Sequence, residues 1–194
     1  VKRSPAPRLP EGRLPAKGWL DSFDRGRLAV TAGLGVYGAL MVFTPGEFRF
    51  MDWVDLAFHE AGHLFLTPFG RVMHFLGGTL GQLFWPLACG VYFWRRSQRF
   101  SAAVMVLWLG QNMFNIARYM KDAVLTELPL VGGGMHDWNW LFSRWHLLHR
   151  AQLFGNLVYA VGVLLVGLSI YGMWRFSRRT EAVDGASVWS AGRG

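Results

Sequence analysis

His59, Glu60 and His63 interrupt the apolar run "DLAFHEAGHLF" with the spacing H-E-x-x-H. On a helix, residues four apart share a face, so the two imidazoles can converge on one metal ion. Glu60 is rotated from His59 by about 100°. It therefore stands beside the ion, where it can take a proton from a metal-bound water. Zinc lowers the pKa of such a water to about 7, which makes hydroxide available at neutral pH. The alanine and glycine between the ligands leave room for a substrate or another helix. Chance places H-E-x-x-H in roughly one chain per hundred of this length, and ionisable residues in an apolar segment are costly and by default functional. A metal site is the expectation. Zinc is the default for histidine ligation, with iron or manganese as alternatives.

A catalytic zinc has three protein ligands and one open position. Asp122, His136 and Asp137 are the candidates for the third. Gln111, Asn112, Asn115, Tyr119 and Asp122 largely share one helical face, a polar stripe suited to a cavity wall. Such a stripe serves ordinary hydrogen bonding between helices equally well. His136 and Asp137 lie in "GGGMHDWNW", whose glycines let the backbone approach a site closely. His136 is favoured as third ligand because neutral imidazole is zinc's commonest partner. Asp137 or Asp122 then orients it from behind, or replaces it as ligand. His146 and His149, three apart in "SRWHLLHR", read as interfacial polar residues. His74 reads as a packing residue, and Gly77 with Gly81 as a close-packing pair.

The elements that position these residues are apolar. Of 194 residues, 52% are hydrophobic, 15% aromatic and 16% charged, whereas a soluble domain carries about 25% charged residues. The net charge of +8 is concentrated where apolar segments end, which fits membrane topology rather than a nucleic-acid surface. Cys89 is the only cysteine, so no intrachain disulfide forms. The chain opens on Val1, as a processed or trimmed start does, and no secretory cleavage pattern precedes the first apolar stretch. Residues 1–24 read as an extended, basic, proline-rich arm and 177–194 as a flexible tail. Between them, 25–176 is expected to be an all-α membrane bundle of four to five apolar helices. "DSFD" should cap the first helix near Arg25. The later segments run over Phe50–Phe69, Val72–Trp94, Phe100–Met120 and Leu153–Phe176.

The basic clusters bear on topology. If all five segments cross, the basic arm faces away from "RRSQR" and "RFSRR". If the H-E-x-x-H segment does not cross, all three clusters fall on the cytoplasmic side. Asp52, Asp55, His59 and His63 form one polar stripe, as on a re-entrant or interfacial helix. Four crossings plus this fifth helix is the preferred arrangement.

With H-E-A-G-H in an apolar segment, the chain resembles the intramembrane metalloproteases of the site-2 protease class and small bacterial membrane proteins bearing the same motif. The resemblance implies an inner-membrane protein with His59 and His63 as zinc ligands and Glu60 as general base. The third ligand of that class is typically the aspartate of an L-D-G-type motif; here "MKDA" and "MHDW" are the nearest substitutes. Two functions follow as expectations. One is a zinc metalloprotease or related hydrolase acting on a membrane-protein substrate. The other is a non-catalytic accessory subunit of a large respiratory or photosynthetic membrane complex, with a structural metal or a pigment contact. The arm, the membrane aromatics and the small size motivate the second. Contact with the lipid bilayer is common to both, and nucleic acid is not a partner.

Overall fold

The computed structural model of the protein describes residues 22–131 and 134–178, all of whose regular elements are helical. Most of the expected arm and tail (1–21 and 179–194) lies outside the described residues, as do Gly132 and Gly133. The helices are α1 (Arg25–Phe43), α2 (Phe50–Leu66), α3 (Arg71–Arg95), α4 (Arg99–Asp122), α5 (Asp137–Arg144) and α6 (Ala151–Phe176).

Local chemistry sets their ends. Asp24 caps α1, its carboxylate accepting from the Arg27 N–H at 3.0 Å. α2 runs out into a 3₁₀ turn, Thr67–Phe69, that carries Pro68. Gly70, at φ +98°, then reverses the chain into α3 through a conformation that side-chain-bearing residues rarely adopt. At the end of α4, the Asp122 carboxylate accepts from the N–H groups of Glu127 and Leu128 at 3.0 and 3.1 Å, which ties down the following loop. "SRWHLLHR" straddles the end of α5 rather than forming one piece. His146, at φ +57°, turns the chain there, and a 3₁₀ turn over Leu148–Arg150 leads into α6.

α4 is the central helix, packed on α6 along its length and on α3; α2 lies on α3, and α1 lies on α6. One core gathers Met41, Leu107, Phe114, Val166 and Met173 from α1, α4 and α6. A second, toward the end of α4, joins Phe75, Ile116, Met120, Trp138, Leu141 and Phe142. α2 and α3 meet backbone to backbone, since a Cβ on Gly62 would run into the Gly77 carbonyl and one on Gly81 into that of Phe58. The expected close packing at Gly77 and Gly81 is thus between α3 and α2.

Among the described residues, the start of α1, the "RRSQR" turn and the end of α6 gather at one end of the bundle. Arg27 donates to the Phe176 carbonyl at 3.0 Å and lies over the Phe100 ring. Asp24 N–H donates to Ser177 at 2.8 Å, and Phe23 pairs with Arg178. The starts of α1 and α4 and the end of α6 therefore share that end, which the preferred arrangement requires.

Three helical stretches are long and apolar enough to cross a membrane: α1, α4, and Leu148–Phe176 containing α6. That is fewer than the four crossings expected. α3 has the length, with 25 residues, but His74, Gln82, its glycines and Pro86 dilute its apolar character. α2 has 17 residues and carries the polar stripe.

Candidate metal centre

Two polar stripes expected from the sequence face each other across α2 and α4. Asp52 accepts from Gln111 Nε2 at 2.7 Å and Asn115 Nδ2 at 3.3 Å. Asp55, fully buried, accepts from Trp108 Nε1 at 2.8 Å and Asn112 Nδ2 at 3.1 Å. Much of the α4 stripe thus serves hydrogen bonding between helices. These bonds fix the rotation of α2, so that its next two polar residues, His59 and His63, point toward the start of α5.

There the two histidines meet Asp137. His59 Nε2 lies 3.0 Å and His63 Nε2 3.2 Å from the same oxygen, Asp137 Oδ2. One donor atom from each residue falls within 4.8 Å of the others. Neighbouring ligands on a tetrahedral ion with bonds of about 2.0 Å stand about 3.3 Å apart, so the spacing suits a small divalent metal. Two imidazoles and one carboxylate form a donor set that could hold a metal ion. His63 Nδ1 donates to the His74 carbonyl at 2.7 Å, which fixes the ring and directs the Nε2 lone pair into the site. His59 has no room to turn, because its ring fills the space where a side chain on Gly78 would stand. Asp137 N–H donates to the Tyr119 hydroxyl at 3.2 Å, anchoring α5 to α4.

Burial works against the charges of this group, and mutual contact overcomes it. Burial alone would raise the Asp137 pKa, but hydrogen bonds from His59 and His63 hold it below the usual carboxylate range. Burial alone would lower the His63 pKa, but Asp137 and the His74 carbonyl raise it. The Asp137 carboxylate and the His63 imidazole thus favour each other's charged forms.

His136 is not in this group. It is the N-cap of α5, with Nδ1 accepting from Asn139 N–H at 3.2 Å. Nε2 is turned to Asp122 Oδ2 at 3.2 Å, out of line for a hydrogen bond. Burial pushes the His136 pKa down. Asp137, the next residue, occupies the third position given to His136 from sequence. Asp122 partners His136 and the loop, not the ligands.

Glu60 and His59 line a cavity of about 410 Å³, together with Tyr119, Asn115, Gln111 and Asp52. Its apolar wall includes Trp53, Leu56, Phe114 and Leu128. Arg118, which sequence reasoning passed over, is also part of the lining. Its only signal was a positive charge inside an otherwise membrane-like segment. The roles of Gly78 and the His74 carbonyl carried no sequence signal, since both depend on where α3 lies against α2.

No known protein family, curated protein or solved structure matches this chain.

Proposed function

We propose that the protein is a membrane-embedded, metal-dependent hydrolase that cleaves peptide bonds of membrane-protein substrates. One observation carries the reading: His59, His63 and Asp137 converge at ligand spacing beside a cavity lined by Glu60. Zinc is the natural occupant for two imidazoles and a carboxylate, and when bound it supplies an activated water and polarises the carbonyl. Glu60 accepts the proton of the attacking water and returns it to the leaving amine. The His74 carbonyl holds His63 in its ligating tautomer, and Gly78 leaves the space that the His59 ring needs. Trp53, Leu56, Phe114 and Leu128 favour an apolar segment of substrate over a soluble peptide. The basic end faces the cytoplasm, which puts the metal centre toward the opposite face.

The test is metal content in the purified protein and in His59→Ala, followed by cleavage of a membrane-peptide panel by wild type and Glu60→Gln. About one zinc per chain is expected, lost in His59→Ala. Glu60→Gln keeps the metal and loses about 10²–10⁴-fold in rate. Absence of metal from both proteins would end this reading and leave the accessory subunit, which native gels after gentle solubilisation would reveal by co-migrating partners.

A further inference from the structure

At the opposite end from the metal centre, α3, α4 and α6 enclose an apolar groove of about 500 Å³. Leu87, Val91, Met105 and Leu168 form its sides. Its floor is built of small residues, Gly90, Ala102, Ala103 and Gly172, where α4 and α6 approach so closely that a Cβ on Gly172 would stand 3.2 Å from that of Ala103. Leu87, Val91 and Leu168 are each about half exposed, so the groove opens sideways from the bundle. In a protein with membrane-length helices, that is the direction of the lipid chains.

Two arginines close the groove at the basic end, Arg95 from α3 and Arg99 from α4. The Arg99 guanidinium lies 3.6 Å from the centre of the Trp94 ring and donates to the Trp94 carbonyl at 3.3 Å, so it is held in place with donors to spare. Arg95 has neither a hydrogen-bond nor an ion-pair partner among the described residues. Arg96, Arg175 and Arg178 stand nearby on the same helix ends. The carboxylate among the described residues of this end, Asp24, is engaged with Arg27. The groove thus joins an apolar trough to a pair of guanidinium groups without a carboxylate partner among the described residues, and guanidinium favours phosphate geometry.

We infer that this groove is a binding site for an anionic phospholipid, with an acyl chain along α3, α4 and α6 and the phosphate between Arg95 and Arg99. A zwitterionic lipid fills the trough as well but brings its own cation to the arginines, so the charge pair sets the selectivity. This site does not depend on the metal centre or on hydrolysis.

The full-length protein would be delipidated in detergent and reloaded with equimolar phosphatidylglycerol and phosphatidylcholine of the same chains. Retained lipid would then be counted by native mass spectrometry. Phosphatidylglycerol is expected to be retained about tenfold over phosphatidylcholine. Arg95→Gln/Arg99→Gln should bring the two near parity with melting temperature and metal content unchanged. Arg96→Gln, outside the groove lining, should leave the preference in place. Should the double variant fail to fold, Arg95→Gln alone decides the matter, because it removes no protein contact; about a threefold loss of preference is expected. Equal retention of both lipids by wild type, a preference that survives the loss of Arg95, or one abolished equally by Arg96→Gln would each overturn the assignment.

Discussion

His136 and Asp137 are adjacent in sequence, and either is chemically fit to ligate a metal. Their separation comes from the helix start between them. As N-cap, His136 is held back by the Asn139 N–H and faces Asp122, while Asp137, in the first turn, reaches His59 and His63. The H-E-x-x-H pair was legible because a spacing of four on one helix is a local matter. The third ligand was not, because it depends on the rotation of a short helix whose start no strong sequence signal marks. The assignment predicts opposite outcomes for two neighbouring substitutions. Asp137→Ala should weaken zinc binding by more than the about 10–100-fold that loss of an orienting partner costs. His136→Ala should retain one zinc per chain, with its cost falling on the stability of the α4–α5 junction. Competition against a chromophoric chelator measures both, and a reversal of the two results would return the third position to His136.

Among elements, the two polar stripes on α2 and α4 were legible from helical spacing, but that they face each other was not, since spacing within one helix does not name the neighbour it packs on. Their hydrogen-bonding balance was not legible, because it depends on which atom of each group is left over. Asp55 Oδ2, Gln111 Oε1 and Asn112 Oδ1 are buried acceptors without a protein donor. Burial pushes the Asp55 carboxyl up to about 6, although Trp108 and Asn112 donate to it. The folded protein therefore holds the Asp55 proton more tightly than the unfolded chain does. Its contribution to stability is fully present below the unfolded value of 3.8 and is lost as pH rises through about 6. At neutral pH the interface holds a buried carboxylate with only neutral donors. Asp55→Asn keeps an acceptor for Trp108 and Asn112 and supplies the missing donor to a neighbouring amide oxygen. The variant should be more stable than wild type by roughly 2 kcal/mol at pH 7.5, and this advantage should vanish toward pH 4. Thermal unfolding of both proteins across that range gives the difference directly. A gap that stays constant with pH would mean that the Asp55 proton is not involved.

For the whole molecule, the two ends differ in the mix of their charges. One gathers arginines from the start of α1, the α3–α4 turn and the end of α6; the other sets Asp122, Asp137 and the histidines among Arg71, Lys121 and Arg144. The sequence carried the basic clusters but could not say whether α2 separates them, since α2 is on average as apolar as α1 and α3 despite its stripe. The contacts show which helix ends lie together. α1 runs away from the basic end, α2 follows after the Thr44–Glu47 turn and carries His59 to Asp137, and α3 comes back so that Trp94 meets Arg99 at the start of α4. An odd number of passes through the H-E-x-x-H region would place "RRSQR" opposite the start of α1, whereas the structure sets Arg27 against Phe100 of α4. Single cysteines introduced into Cys89→Ala protein test this in intact cells. Gln98→Cys and Arg175→Cys should be labelled from the same side by a membrane-impermeant maleimide, and Glu127→Cys from the other. If Gln98 and Glu127 label together, the bundle does not cross the membrane along α4, and the cavity beside Glu60 opens to the same compartment as the arginines. That outcome would place both ends in one compartment and overturn the proposed orientation, while leaving the ligand geometry of His59, His63 and Asp137 intact.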